Sequence, residues 1–187
     1  MNQKVILTFD DGPHTNFGNL EILKVLDKHH IKALFFVTGQ LTLLNADMLK
    51  EIHNRGHDIG NHSFTHARLL ELNDEEVRSE IRKTQIIVKH LIGKIPVYFR
   101  PPYGECRPET RQMIENEFNL KYVTWGINTY DWKRQGIDMK EVNRCLKQNL
   151  SETTMILMHV TPETSDALDE FIDWLKLQGI TICNATK

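Results

Sequence analysis

The stretch Val5-Ile6-Leu7-Thr8-Phe9-Asp10-Asp11-Gly12-Pro13 carries the strongest structural signal in the chain. Residues 5–9 form a short apolar run of the kind that builds a buried strand. The run delivers two adjacent carboxylates, and the Gly-Pro pair that follows predicts a sharp turn. Similar runs predict further strands at 33–37, 58–61, 97–100, 122–125, 155–158 and 181–183.

Amphipathic segments alternate with these strands and predict helices at 19–29, 46–55, 74–92, 108–118, 140–150 and 165–178. The helix at 74–92 has the clearest pattern. Asn73 and Glu76 can form a capping box at its start, and Gly93 can cap its end. This alternation favours a parallel α/β sheet. The connection lengths fit an open doubly wound sheet or a barrel, and in both folds functional loops follow the carboxyl ends of the strands.

The composition predicts one domain covering residues 1–187, with 40% hydrophobic and 26% charged residues. A net charge of −2 and scattered basic residues give no sign of a nucleic-acid partner, and no apolar stretch is long enough to span a membrane.

Three cysteines without a C-x-x-C pair predict free thiols. No signal peptide precedes the first strand, which fits a cytoplasmic protein or an exported one shown here without its export sequence. The oligomeric state cannot be read from the sequence.

Carboxylates and histidines follow two of the predicted strands. Asp10 and Asp11 are costly to place together unless a cation or an arginine stabilises them, although an Asp-Asp-Gly turn in solvent is the simpler alternative. His62 and His66 are four residues apart and can face one metal ion from a helical turn or a tight loop. With nine histidines in the chain, such a pair also arises by chance.

A second histidine pair with the same spacing, His53 and His57, lies at a predicted helix end. We expect both of its members to be ordinary surface residues.

Two further strands also end in distinctive loops. Arg100 precedes two prolines that stiffen the loop at 101–104, and it can hold a carboxylate with paired hydrogen bonds. The alternative is a rigid structural loop with an exposed arginine. His159 follows an apolar strand, where a lone histidine is more often structural than catalytic. Together with the loop at 128–132, however, these elements collect at one end of the predicted sheet, which favours a functional site there.

These motifs and their order along the chain resemble those of the polysaccharide deacetylases. This family is the family four carbohydrate esterases, which have a nodulation-type deacetylase domain. The matching motifs are Thr-Phe-Asp-Asp-Gly-Pro at 8–13, His-Ser-Phe-Thr-His at 62–66, Arg-Pro-Pro-Tyr-Gly at 100–104, Asp-Trp at 131–132 and Leu-Met-His at 157–159. The resemblance implies a single-domain distorted (β/α) barrel with about seven parallel strands. The chain departs from the common family pattern at Asn128, where many members have aspartate, and at Val160, where many have a carboxylate.

The resemblance also implies a metal site. Asp11, His62 and His66 match the residues that hold a divalent ion in the family, usually zinc and sometimes cobalt or another metal. Carboxylate and imidazole ligands suit such an ion. Three protein ligands leave coordination positions for water and for a substrate carbonyl.

Catalytic roles follow from the same resemblance. Asp10 matches the general base, and Arg100 matches the residue that orients this base. His159 matches the general acid that protonates the leaving amine, while Asp131 matches the carboxylate that holds His159 and raises its pKa.

Four residues are implied to contact the substrate. The backbone N–H of Tyr103 matches an oxyanion donor, and Pro102 precedes it in the same motif. Trp132 and Leu157 match the walls of the pocket for the acetyl methyl group.

The function implied is metal-dependent removal of N-acetyl groups from a poly- or oligosaccharide, such as peptidoglycan or chitin fragments. Three alternatives stay open at this point. The same residues would serve an O-acetyl esterase acting on xylan, and a relative with little activity would act as a sugar-binding module. A metal-free relative acting on cyclic amides is disfavoured by the complete set of ligands.

Overall fold

The computed structural model describes residues 3–15, 18–133, 136–148 and 153–185. Its strands are β1 (Lys4–Gly12), β2 (Leu34–Val37), β3 (Asp58–Asn61), β4 (Tyr98–Phe99), β5 (Lys121–Tyr122), β6 (Ile127–Asn128), β7 (Thr153–His159) and β8 (Thr181–Ile182). They form one sheet in the order β5-β4-β3-β2-β1-β7-β6, and β8 pairs with the start of β1. All of the pairings are parallel.

The longest strand, β1, pairs with three other strands. It pairs with β7 from Lys4 to Asp10 and with β2 from Thr8 to Gly12. Its side chains from residue 5 to residue 10 are all buried, because helices cover the outer face of the sheet while the strands enclose the inner one. A buried apolar run therefore ends directly in the carboxylates of Asp10 and Asp11.

A single segment, residues 121–128, links the two ends of the sheet. Its first part, β5, pairs with β4, and its last part, β6, pairs with β7. A flat sheet of seven strands would separate its outer strands by about 29 Å, whereas the backbone from Tyr122 to Ile127 spans at most about 18 Å. The sheet must therefore curve into a distorted barrel. This architecture confirms the single-domain α/β barrel with about seven strands.

The described helices lie between the strands. They are α1 (Asn19–Lys28), α2 (Gly39–Leu44), α3 (Ala46–Asn54), α4 (Asp74–Ile92), α5 (Pro108–Phe118), α6 (Met139–Leu146) and α7 (Pro162–Leu177). The capping box predicted at Asn73 and Glu76 is present at the start of α4, and Gly93 ends this helix with a φ of 72°. No helix in the described ranges is long and apolar enough to cross a membrane.

The structure differs from the predicted elements at three places. Residues 39–44, between a predicted strand and a predicted helix, form α2, because Thr38 caps this helix by accepting a hydrogen bond from the Leu41 N–H. The strand predicted at 122–125 is interrupted there, since the chain crosses from β4 to β7 at this point. The helix predicted at 140–150 ends at Leu146, and residues 149 and 150 lie outside the described part of the chain.

The apolar core divides into two groups. The larger group packs β1, β2 and β7 against α1 and α7, and the smaller one packs α4 and α5 beside β4.

The cysteines Cys106, Cys145 and Cys183 are free, as predicted. The expectation that His57 lies at the surface was wrong, because its side chain is buried against Phe35 and its Nδ1 accepts a hydrogen bond from the Ala33 N–H.

Candidate active site

The predicted site residues meet at the carboxyl end of the barrel, as the parallel sheet requires. Asp10 at the end of β1 stands directly opposite His159 at the end of β7 in the strand register. His62 and Arg100 follow β3 and β4, and the Arg100 N–H bonds the carbonyl of Asn61 to join these two loops. Four strands therefore deliver polar side chains to the same end of the barrel.

The side chains of Asp11, His62 and His66 form a compact group of possible metal ligands. Asp11 Oδ1 lies 3.4 Å from His62 Nε2 and 3.1 Å from His66 Nε2. A tetrahedral ion with bonds of about 2.0–2.1 Å separates its ligand atoms by about 3.3 Å, which agrees with both distances. Although Asp11 Oδ1 is buried, no donor of the described residues makes a hydrogen bond of good geometry to it. A buried oxygen in this state fits a cation.

The electrostatics of this group favour the charged carboxylate. Burial raises the pKa of Asp11, but contacts with His62 and His66 outweigh it and lower the pKa far below its usual value. Burial likewise lowers the pKa of His62, but the charges of Asp10 and Asp11 outweigh it and the pKa is raised. The site holds negative charge that a divalent ion would neutralise.

His62 is oriented by the backbone of a neighbouring loop. Its Nδ1 lies 2.7 Å from the carbonyl oxygen of Arg100, and this contact assigns the proton to Nδ1. Nε2, the atom available to a metal ion, then faces the Asp11 carboxylate at 3.4 Å from Oδ1. Such a contact behind the ligand fixes both the tautomer and the ring orientation.

The loop from His62 to His66 is a tight loop, and its shape depends on a distant residue. Glu80 in α4 accepts hydrogen bonds from the N–H groups of Phe64 and Thr65 at 2.9 and 2.8 Å. Ser63 Oγ accepts from the His66 N–H at 3.1 Å. Glu80 was missed in the sequence, because no local pattern connects a helical glutamate with a loop 15 residues before it.

Asp10 is paired with a buried arginine. Arg100 Nη1 donates to Asp10 Oδ1 at 2.7 Å and to Thr8 Oγ1 at 2.8 Å. The Arg100 side chain is 0% exposed and that of Asp10 is 4% exposed, so the pair is removed from solvent. Burial lowers the pKa of Arg100, opposed by the charge of Asp10. Arg100 thus holds the carboxylate in place under the opening and does not itself line it.

His159 is held by a second buried carboxylate. Its Nδ1 lies 2.8 Å from Asp131 Oδ1, and its backbone N–H donates to Asp131 Oδ2 at 2.6 Å. Thr164 Oγ1 donates to the same Oδ2 at 2.7 Å, a partner that the sequence motifs did not reveal. Burial lowers the pKa of His159, but Asp131 and the charges of Asp10 and Asp11 outweigh it, so the pKa is raised as predicted.

A cleft of about 500 Å³ opens over these residues. Its walls include Tyr103, Trp132 and Leu157, three of the residues expected to contact substrate. Trp132 is 53% exposed and also borders a neighbouring cleft. Pro102, the fourth, is buried and lines a smaller cavity behind Tyr103, so it contributes to the shape of the loop and not to the wall of the cleft.

Backbone strain is concentrated around the cleft. Positive φ angles occur at Asp11 near the end of β1, at Ser63 and His66 in the loop after β3, and at Tyr103 and Tyr130 in the loops after β4 and β6. Each costs of order 1–3 kcal/mol for a residue with a side chain. Surrounding contacts stabilise these conformations, so the side chains are held in position before any ligand arrives.

The comparisons with known proteins agree with this geometry. Residues 1–123 match the family model described as polysaccharide deacetylase. This chain belongs to the polysaccharide deacetylase family. The resemblance inferred from the motifs is therefore confirmed.

Three similar proteins place the chain within this deacetylase family. A peptidoglycan-N-acetylglucosamine deacetylase of Bacillus cereus is 38% identical over 94% of this chain and 64% of its own length. A solved peptidoglycan N-acetylglucosamine deacetylase, in complex with a naphthyl-substituted N-hydroxybenzamide, has a TM-score of 0.87 and 35% identity, covering 98% of this chain and 86% of that one. A family pseudoenzyme from Bacillus anthracis has a TM-score of 0.85 and 31% identity, covering 99% and 64%.

The chain spans less than two thirds of the length of two curated peptidoglycan deacetylases to which it is similar. The share is 64% for the Bacillus cereus protein and 37% for a peptidoglycan deacetylase of Listeria monocytogenes.

A second group with ligand-type atoms lies between α1 and α7, away from the candidate active-site cleft. It consists of His29, Asp169 and Asp173. Lys28 Nζ lies 2.8 and 2.6 Å from the two Asp169 oxygens, and Lys176 Nζ lies 2.7 Å from His29 Nδ1. Because two ammonium groups already occupy these atoms, the group is a network of ion pairs that joins the helices.

Proposed function

We propose that this protein is a metal-dependent N-deacetylase that removes acetyl groups from N-acetylglucosamine-containing glycans, with peptidoglycan as its substrate class. The observation that carries this proposal is the convergence of Asp11, His62 and His66 beside Asp10 and His159 at the mouth of one cleft. The names of the similar proteins support the choice of peptidoglycan.

We propose zinc as the metal, held by Asp11, His62 and His66. One carboxylate and two imidazoles suit zinc, and cobalt binds a similar set of ligands. An N-hydroxybenzamide is a hydroxamic acid, and hydroxamic acids chelate metal ions, so its complex with the similar deacetylase supports a metal in this cleft. A bound zinc ion would supply Lewis acidity, which polarises a carbonyl and lowers the pKa of water.

Different side chains accept and donate the protons of the proposed reaction. Asp10, held by Arg100, accepts the proton of the attacking water, and the backbone N–H of Tyr103 stabilises the oxyanion. His159, kept protonated by Asp131, donates a proton to the departing nitrogen. Water thus adds to the acetamide carbon, the C–N bond breaks, and acetate and a free sugar amine are released. Trp132 and Leu157 enclose the acetyl methyl group.

The complete set of residues favours catalysis over the role of a sugar-binding module. Some similar structures are pseudoenzymes, so membership of the family does not by itself establish turnover. This chain nevertheless retains a base, an acid and three ligands in one cleft. The O-acetyl esterase remains the alternative reaction, because the same groups would act on an ester.

Acetate release tests the proposal directly. Protein stripped with chelator is assayed on N-acetylglucosamine oligosaccharides and on peptidoglycan fragments, before and after zinc is restored. We expect release only with zinc, and at least tenfold preference for the amide over O-acetylated xylan. Release from xylan alone would assign the esterase, while zinc binding without release from any substrate would assign a binding module.

A further inference from the structure

Arg68 lies at the edge of the active-site cleft, two residues after His66. Its guanidinium carbon is 4.0 Å from the ring centroid of Tyr103, and this ring meets the His66 ring edge to face at 4.8 Å. In this stack the Tyr103 ring lies between the Arg68 guanidinium and the ring of His66, one of the proposed metal ligands. Arg68 also contributes to the lining of the cleft.

Arg68 lacks a carboxylate partner among the described residues. Six of the eight described arginines pair with an acidic side chain, namely Arg55, Arg78, Arg100, Arg107, Arg111 and Arg144. The other two, Arg68 and Arg82, each lie over an aromatic ring. Arg82 lines neither of the clefts beside Trp132, whereas Arg68 lines the active-site cleft and also a smaller cavity that includes Glu71 and Glu105.

The charge of the groove is asymmetric. The cleft of about 450 Å³ on the other side of Trp132 is lined by Glu163, Thr161 and His14 and contains no lysine or arginine from the described residues. A chain lying across both clefts would therefore meet a cation near Tyr103 and a carboxylate beyond Trp132. Such an arrangement selects both the charge and the direction of a bound glycan.

We propose that Arg68 is a specificity-determining residue that binds a carboxylate carried by the glycan beside the acetamido group to be hydrolysed. The proposal rests on the proposed deacetylase function and names the substrate more narrowly, as an acidic and not a neutral glycan. A planar guanidinium binds a carboxylate with two parallel hydrogen bonds, and its stacking on Tyr103 restricts its motion before substrate arrives. In peptidoglycan the carboxylate can belong to the lactyl group of a muramic acid or to a stem peptide.

The test compares matched substrates on zinc-loaded protein. One is a tetrasaccharide of alternating N-acetylglucosamine and N-acetylmuramic acid with free lactyl carboxylates, and another carries methylamides at the same positions. A third bears stem peptides, so that its carboxylates lie on the peptides. The ratio of kcat/KM between acidic and methylamide substrates is measured for wild type, for Arg68→Gln and for the control Arg82→Gln, and calorimetry gives the corresponding ratio of Kd values.

We expect wild type and Arg82→Gln to prefer an acidic substrate by roughly five-fold, as for an ion pair open to solvent, and this preference should weaken as salt is added. In Arg68→Gln the ratio should fall to about one. Preference for the lactyl form or for the peptide form would identify the source of the carboxylate. Equal losses on acidic and methylamide substrates would overturn the proposal, because they would show that Arg68 only supports Tyr103.

Different results would contradict the deacetylase function and the role of Arg68. Absence of acetate release from every glycan would contradict the deacetylase function, while the ratio of Kd values would still test Arg68. Acetate release with no preference for acidic glycans would keep the deacetylase and remove the role of Arg68.

Discussion

Arg100 donates a 2.7 Å hydrogen bond to Asp10, and both side chains are almost completely excluded from solvent. A buried ion pair of this kind contributes little net stability, because desolvation offsets much of the attraction. The ion pair instead fixes the position of the Asp10 carboxylate. The carboxylate is held 3.7 Å from His62 Nε2, beside the candidate metal site, in a fixed orientation.

Asp10→Asn should abolish most turnover without loss of the metal. The amide cannot accept a proton at neutral pH, and a positioned general base contributes on the order of 10²–10⁴ in rate. Acetate release and metal content are measured on the same preparation. Turnover within tenfold of wild type would show that Asp10 is not the base, and loss of metal would place it among the ligands.

His66→Ala should lose the metal, because only two of the three side-chain ligands remain. Metal stoichiometry by elemental analysis, after dialysis against limiting zinc, gives the result without an activity assay. His53→Ala is the matched control, since His53 also has a histidine four residues away but lies outside the deacetylase cleft. Equal zinc content in the two variants would rule out the proposed ligand set.

Asp131→Asn should shift the alkaline limb of the pH profile to lower pH. Asp131 raises the pKa of His159, and the proposed acid works only when protonated, so the rate falls as the pH rises through this pKa. Loss of the charge should move this limb of the kcat/KM profile to lower pH. Asp169→Asn, which alters a carboxylate paired with a different histidine, should leave the profile unchanged. An unmoved limb in Asp131→Asn would assign it to another group.

Protonation of the buried His57 should lower the free energy of unfolding in mild acid. Burial lowers its pKa from 6.5 to about 4, so the unfolded chain binds a proton more readily than the folded one between these values. The free energy of unfolding should therefore drop as the pH falls through this window, with a contribution of about 2–3 kcal/mol by pH 4.5.

Chemical denaturation at pH 7 and pH 4.5 checks this expectation in wild type and His57→Asn. The asparagine oxygen can still accept the Ala33 N–H, so the variant should be less stable at pH 7 but lose less stability in acid. The same loss in both proteins would mean that His57 does not titrate as its burial requires.

The sequence by itself determined the alternation of strands and helices and the residues that enter the site. Helix α4 begins and ends where its capping residues predict, because caps act within one turn of the backbone. The motif residues could be ordered along the chain, since each one follows an apolar strand. Parallel strands bring their carboxyl ends to one edge, so the general position of the site was also predictable.

The tertiary structure alone decided the features that depend on long-range contacts. The barrel is distorted because residues 121–128 bridge two strands that are distant in sequence, although the segment resembles one ordinary strand. Glu80 and Thr164 hydrogen-bond residues of the site, and Arg68 lines the cleft, from elements whose local patterns show only a helix or a loop. Local propensity acts over a few residues, whereas burial, pKa and the pairing of charges are set by groups that only folding brings together.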